Sequence, residues 1–206
     1  MRVISNAAFY DIADSNVRVP NEASAPIQLG FLSNITFEKG FVEFFAILAA
    51  LKQRGVEYRA HVAGPVAPAA QPVFAELLAS ASDVEYAGPI YGEAKDRFYD
   101  QLDILLFPTR YLNEAEPLVI YEAMRRAVYV IACDRGAISE MLANGAGLVV
   151  ALDDVVESTV AHILRFTSDR VALIHARQLS FQQAQRISSS SSAQLDNVLI
   201  CMQVAE

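Results

Sequence analysis

The sequence predicts a doubly wound α/β domain: a mainly parallel sheet with helices on both faces, followed by a helical C-terminal extension. Three observations predict it. Short runs that are apolar throughout recur along the chain, stretches with apolar residues at steps of three and four separate them, and after Val150 only the helical spacing continues. A strand that is apolar on both faces must be covered on both, and such strands alternating with amphipathic helices pair in parallel.

Residues 1–26 show no clean period and carry a turn-rich stretch from Asp14 to Pro26, so they read as a lead-in or interdomain linker. The first core strand is Ile27–Leu32. Phe41, Phe44, Leu48 and Leu51 then mark one face of a helix, with Gly55 as its C-terminal cap. Further strands are expected at Tyr58–Ala63, Val84–Ala87, Ile104–Phe107, Val128–Ala132 and Gly147–Val150. Between them Phe74, Leu77 and Leu78 outline a second helix, and Phe98 is expected to begin a third. Val155 to Phe166 and Arg170 to Arg186 read as the closing helices. The core domain is thus expected over residues 27–186. Residues 187–206 hold the serine run Ser188–Ser192, which reads as a flexible joint, and a short tail from Ala193 to Val204 that could dock onto another domain. No internal repeat is visible.

Composition narrows the function. Apolar residues make up 53% and charged residues 19%, below the usual charged share of about 25%, which suggests apolar surface for another domain or chain to cover. The net charge of −8 argues against binding the phosphate backbone of nucleic acid, which rewards Lys and Arg. A small anionic ligand is still allowed, since a few amides and one Lys suffice to hold it. The two cysteines, Cys133 and Cys201, make no disulfide framework, so a reducing compartment is expected. No apolar run approaches the ~20 residues of a membrane span, and the opening MRVISNAAFYD lacks a secretory apolar segment. The expectation is a cytoplasmic protein, with work at the inner face of a membrane only as a peripheral one.

Three turns at strand carboxyl ends carry candidate chemistry. The first runs from Ser33 to Gly40 and includes Asn34 and Lys39. α/β domains hold phosphates at this position with helix N-terminal amides. A Lys in the first turn opposes the helix dipole and so calls for an anionic partner; the alternative is a solvated Lys at a helix start. No G-x-G-x-x-G and no P-loop is present. The second spans Asn113 to Glu122. Pro117 reads as the first helical residue, which leaves the amides of Leu118 and Val119 free to donate to an anion. Glu114 in the preceding loop and Glu122 on the second turn could look into one cleft as acceptors for a hydroxyl-rich ligand. Acidic residues at a helix start also simply favour the dipole, which accounts for Glu114 and Glu116 better than for Glu122. The third, Asp134 to Glu140, has Gly136 where the backbone could approach a ligand, or is an ordinary turn. His61, His162 and His175 are dispersed; His61 sits within a strand pattern and is expected as a satisfied core histidine. No spacing of Cys, His and Asp suggests a metal, and no Ser lies in a G-x-S-x-G elbow.

Together these segments resemble the C-terminal domain of the group-1 glycosyltransferases (family four, GT-B fold, Rossmann-like). The match runs from about Ile27 to Val150, with Val3-Ile4-Ser5-Asn6 resembling the family's interdomain lead-in. Glu114 to Glu122 fits the E-x7-E motif and continues as Glu122-Ala123-Met124. Lys39-Gly40 fits the family's Lys-Gly, His61-Val62-Ala63-Gly64 its second strand and glycine, and Gly136 to Glu140 its G-x-x-x-E turn. Order and spacing carry the resemblance, since each piece alone is common.

The resemblance implies roles. Lys39, with the amides near Leu118 and Val119, holds the diphosphate of a nucleotide-sugar donor. Glu122 accepts from the ribose hydroxyls, Glu114 sits by the donor sugar, and Gly88-Pro89-Ile90 passes beside the base. The sugar is transferred with retention, needing no metal or cofactor, because charge and fixed dipoles stabilise the departing nucleoside diphosphate. The acceptor, a glycan or a lipid-linked sugar, is held by an N-terminal domain or partner chain that this sequence has no room for. Two positions depart from the family. Asn34 stands where Arg is usual, which removes a second cation and implies leaving-group stabilisation weaker by about 1–2 kcal/mol. Glu116-Pro117 stand where Phe-Gly is usual, and Glu116 adds negative charge near a diphosphate. Two alternatives follow: a nucleotide-sugar-binding or scaffold module that keeps the fold without catalysis, and an unrelated doubly wound domain such as a sugar-nucleotide epimerase.

Overall fold

The computed structural model describes Ser5 and residues 26–203, with side chains through residue 196. The expected lead-in lies outside the described residues apart from Ser5 and Pro26, and so does the side chain of Cys201. In chain order the elements are β1 (Ile27–Leu32), α1 (Phe41–Gln53), β2 (Tyr58–Ala63), α2 (Gln71–Ser80), β3 (Val84–Tyr86), α3 (Glu93–Asp100), β4 (Ile104–Phe107), α4 (Leu118–Met124), β5 (Tyr129–Cys133), α5 (Ile138–Met141), β6 (Gly147–Val150), α6 (Val155–Ser168) and α7 (Arg170–Gln203).

The six strands form one sheet in the order β3-β2-β1-β4-β5-β6, every pair parallel. This is a Rossmann-like doubly wound sheet whose order reverses between β1 and β4. Ligands of such sheets bind at that switch point, outside the carboxyl ends of the strands.

Alternation along the strands explains the two layers. Ile27, Leu29 and Phe31 of β1 share one core with Ile104 and Leu106 of β4, with Phe41, Phe44 and Leu48 of α1, and with Val160, Ile163 and Phe166 of α6. The intervening Leu105 and Phe107 belong to a second core with Ile120 and Met124 of α4, Ile138 of α5 and Ala184 of α7. Both faces of β4 are apolar because both are covered, as the unbroken runs predict. Gly55 closes α1 in a left-handed conformation, φ +71°. Its N–H bonds Lys52 and that of Val56 bonds Leu51, a Schellman end in which one residue without Cβ satisfies two orphan carbonyls.

Three expectations are corrected. Phe98 lies in the last turn of α3 instead of its first. The helix opens on Glu93, Lys95 and Asp96, polar residues that hide its start from apolar periodicity. β5 runs one residue later than expected, because Val128 N–H closes the end of α4 by bonding Ala123. The serine run is no joint. It lies inside α7, with Ser191 buried. Serine costs a helix only a few tenths of a kcal/mol per residue, and without Gly or Pro to break it, packing against the sheet layer decides. Among the described residues no helix is long and apolar enough to cross a membrane.

An aromatic cluster joins β5 to α6. The Tyr129 and His162 rings stack 5.7 Å apart at 9°, and Phe166 stands edge-on to both. Burial, with the Arg165 cation second, lowers the His162 pKa below its ordinary 6.5. Burial likewise lowers that of His61, which bonds Gln28 as a satisfied histidine should. An unfolded histidine therefore takes up a proton before the folded one does. Stability is full above about pH 6.5 and declines as pH falls through that value toward the folded pKa. Urea unfolding from about pH 7 to about pH 5 is expected to show a falling midpoint, with a shallower decline in His162→Phe. An identical slope in that variant would remove His162 as a contributor.

Candidate functional site

The loops after β1 and β4 meet at the switch point. After β1 the chain makes a single 3-10 turn, Phe37–Lys39, capped by Thr36, whose Oγ1 accepts from the Lys39 N–H at 3.3 Å. Gly40 follows at φ +82°, and a Cβ there would lie 2.0 Å from the Pro108 carbonyl oxygen. Glycine is thus required for the β1 loop to press against the β4 loop.

That approach brings Lys39 to Glu114, 75 residues away. Lys39 Nζ lies 2.6 Å from Glu114 Oε2, with the two side chains 19% and 10% exposed. Thr109 Oγ1 donates to the same oxygen at 3.2 Å and accepts from the Tyr111 N–H. The ammonium also stands 4.7 Å from the centre of the Tyr111 ring, within cation–π range. The neighbouring Glu116 accepts a hydrogen bond from the Ser5 hydroxyl.

Pro117 caps α4 from outside, with φ −72° and ψ 112°, instead of opening it as its first helical residue. The correction moves the start by one residue. Its cause is the extended ψ, which lets the Pro117 carbonyl accept from Ile120. Leu118 and Val119 are then the first two helical residues, the positions whose N–H groups lack intrahelical partners. Glu122, on the second turn, takes partners from α3: Lys95 Nζ at 2.5 Å and the Tyr99 hydroxyl at 3.0 Å, both on Oε2. Asn34 is exposed in the β1 loop, and Ile90 is partly buried against the second core. Gly88 sits at φ +73° with open space where a Cβ would stand, and its carbonyl accepts from the Gly64 N–H. Gly64 in turn approaches Ser33, a Cβ there falling 1.8 Å from the Ser33 oxygen. The β2 and β3 loops are thereby tied into the same rim.

Gly136 does something other than face a ligand. A Cβ there would fall 2.1 Å from the Glu114 carbonyl oxygen and 2.2 Å from that of Ala115, and Ala137 N–H bonds Ala115. The third turn is a brace for the Glu114 loop. Gly136→Ala is therefore expected to cost about 1–3 kcal/mol of stability and also to weaken anion binding by shifting the Glu114–Ala115 loop that leads into the Leu118 and Val119 amides of α4. Gly55→Ala, strained but with nothing within 4 Å, serves as the comparison: thermal unfolding with nucleotide titration should show the binding loss for Gly136 alone. Equal binding by both variants would end the brace assignment.

Cys133 ends β5 fully buried, with its thiol pushed up to about 11 by burial, so it is no poised nucleophile. Among the described residues no group of three or more His, Cys, Asp or Glu is placed to hold a metal ion. A cleft of about 810 Å³ lies between α5 and α7, lined in part by Glu116, Glu140, Gln183 and Arg186. Lys39, Glu114 and Glu122 are outside it, so chemistry rather than cavity size locates the candidate site.

A family model described as "Glycosyl transferases group 1" matches residues 26–169. The chain belongs to the group 1 glycosyltransferases. Solved structures similar to it include Anabaena HepE in complex with UDP, at 17% identity and TM-score 0.73, covering 87% of this chain and 50% of that one. Sucrose-phosphate synthase from Thermosynechococcus elongatus gives 20% and 0.76, over 98% and 52%. The C-terminal domain of a glycosyl transferase group 1 family protein, LpcC, from Francisella tularensis gives 20% and 0.68, over 84% and 93%. At these identities the likeness is one of fold. The chain spans about half the length of the first two structures. No curated protein sequence matches it at a significant level.

The sequence singles out Lys39, Glu114 and Glu122 as candidates in this group 1 glycosyltransferase chain, and it misses the side chains that contact them, Thr109 at Glu114 and Lys95 and Tyr99 at Glu122. Thr109 was findable, as a hydroxyl directly after the β4 strand end. Lys95 and Tyr99 had no signal, because only the docking of α3 on α4 brings them to Glu122.

Proposed function

We propose that this chain is the donor-binding half of a retaining GT-B glycosyltransferase. The observation that carries the reading is the Lys39–Glu114 pair, assembled at the β1/β4 switch point beside the start of α4. In this reading the diphosphate of a nucleotide sugar lies against Lys39 and the amides of Leu118 and Val119. Lys39 leaves its carboxylate partner for the phosphate, which frees Glu114 to accept from the donor sugar. Glu122 accepts from the ribose, and the rim at Gly88 and Ile90 borders the base. As the glycosidic bond to phosphate breaks, Lys39 and the amides meet the charge that develops on the leaving oxygen. The reading assigns that charge to protein groups and asks for no metal or cofactor. UDP and UDP-glucose complexes of a structural neighbour support a nucleotide-sugar ligand. The acceptor, a glycan or lipid-linked sugar, belongs to a further domain or chain, as the half-length match to the structural relatives supports. The core domain is taken as residues 27–186, and the setting as cytoplasmic, peripheral to the inner face of a membrane.

A second reading, a binding or scaffold module without turnover, draws on Asn34, which brings no second cation, and on Glu116, which adds a negative charge beside Glu114. Thermal unfolding with millimolar UDP, GDP or ADP tests the donor site. Ligand at about 100 times its Kd stabilises by about 2.7 kcal/mol, roughly 5–10 °C for a domain of this size. A shift with one nucleotide that vanishes in the Lys39→Ala, Glu122→Ala double variant is expected. No shift with any of them would overturn the donor-site reading. Turnover on adding an N-terminal acceptor domain separates enzyme from module.

A further inference from the structure

We infer that Lys95 and Tyr99 of α3 are positioning residues for Glu122, and that they set how strongly the site prefers ribose over deoxyribose. The inference rests on the reading above in which Glu122 accepts from ribose hydroxyls. Glu122 is not a loose surface acid: its side chain is 8% exposed, and Lys95 Nζ and the hydroxyl of fully buried Tyr99 converge on one of its oxygens. A glutamate side chain has three torsions to order. Two donors on Oε2 fix the carboxylate plane and thus where Oε1 stands, so its ordering is completed on folding rather than on binding.

The helix that supplies both donors is itself fastened to the C-terminal cap of α4 and the turn after it. Asp96 pairs with Arg125 at 2.5 Å and Arg126 at 3.0 Å, and Asp100 pairs with Arg126 at 3.2 Å. α3 also begins directly after the Gly88–Gly92 rim. One rigid helix therefore links the rim of the site to the carboxylate on α4. A displacement of α3 would alter both at once, which gives Lys95 and Tyr99 an influence that a pair of surface charges lacks.

Isothermal titration of the full 206-residue chain with UDP, GDP and ADP, each against its 2′,3′-dideoxy counterpart, tests this. The unsubstituted chain is expected to favour the ribose form of its nucleotide by about tenfold or more. Tyr99→Phe and Lys95→Met should each reduce that preference several-fold, with Tyr99→Phe leaving dideoxy binding unchanged and Lys95→Arg keeping most of the preference. Dideoxy binding doubles as the folding control. A loss shared equally by both sugar forms in Lys95→Met would reduce its role to general attraction of the diphosphate and overturn its assignment. An unchanged preference in both variants, with Glu122→Gln abolishing it, would overturn the inference and leave the donor-site reading standing. A preference that survives Glu122→Gln, or no nucleotide binding at all, would overturn that reading and the inference with it.

Discussion

Lys39→Ala is expected to weaken binding of a nucleoside diphosphate about a hundredfold in isothermal titration. Hydrogen bonds between charged groups contribute about 1.5–3 kcal/mol, and about 1.4 kcal/mol is tenfold in affinity. Two effects add. The phosphate loses its ammonium, and Glu114, 10% exposed, keeps its charge without the cation now 2.6 Å away. An uncompensated carboxylate beside an arriving diphosphate repels it. The same reasoning gives Glu114→Gln the opposite sign for the bare nucleotide. In the ligand-free chain Glu114 competes with phosphate for Lys39, so removing its charge should tighten UDP binding several-fold. Sugar transfer by the complemented enzyme should nonetheless slow, because the donor sugar loses its acceptor. If Glu114→Gln and Lys39→Ala weaken binding alike, the pair serves to hold the two loops together and does not exchange with ligand.

Asp103→Ala is expected to destabilise the chain by about 3–5 kcal/mol, lowering Tm by on the order of 10 °C in a thermal melt. Asp103 and Arg177 form a buried ion pair, Nη1 to Oδ1 at 2.7 Å, with side chains 10% and 4% exposed. The pair is also a junction of the fold. Asp103 Oδ2 accepts from the Gln28 N–H of β1. Arg177 Nε donates to the carbonyl of Ala127 and the Ser180 hydroxyl to that of Val128, so α7 grips the turn between α4 and β5. Removing one partner strands the other charge in an apolar layer, and that penalty dominates. The Asp103→Leu, Arg177→Met double variant should therefore lose less than the sum of the single substitutions, a coupling read from the double-mutant cycle. Additive losses would mean that the two side chains act independently, through their separate backbone bonds. Nucleotide binding at temperatures well below the melt should change little, since the pair lies at the opposite end of β4 from Lys39 and Glu114.

The apolar runs and helical spacings were enough for the strand bounds of β1, β2, β4 and β6, for the α1 face and for its Gly55 end, because each depends on neighbours close in sequence. Burial on both faces writes itself into every residue of a strand such as Ile104–Phe107, and a helix writes a stripe at steps of three and four. The polar start of α3 and the serine run inside α7 escaped for the complementary reason: their state is set by packing against distant elements, which local composition does not carry. The site divides in the same way. Lys39 and the two glutamates were legible as residue types at strand ends, where α/β sheets expose loops to ligands. Which cation meets which carboxylate was not, because that follows from strand order. Placing β1 beside β4 joins Lys39 to Glu114 across 75 residues, and laying α3 along α4 gives Glu122 to Lys95 and Tyr99. The Cβ-free approaches at Gly40 and Gly136 belong to this second class: each is needed only because another loop's carbonyl stands about 2 Å from where a Cβ would be. Sequence alone thus determined the layered α/β architecture and pointed to candidate residues at the strand ends. Tertiary structure decided their partners, because charge pairing depends on distance in space, and hydrophobic periodicity records only which face of each element is buried.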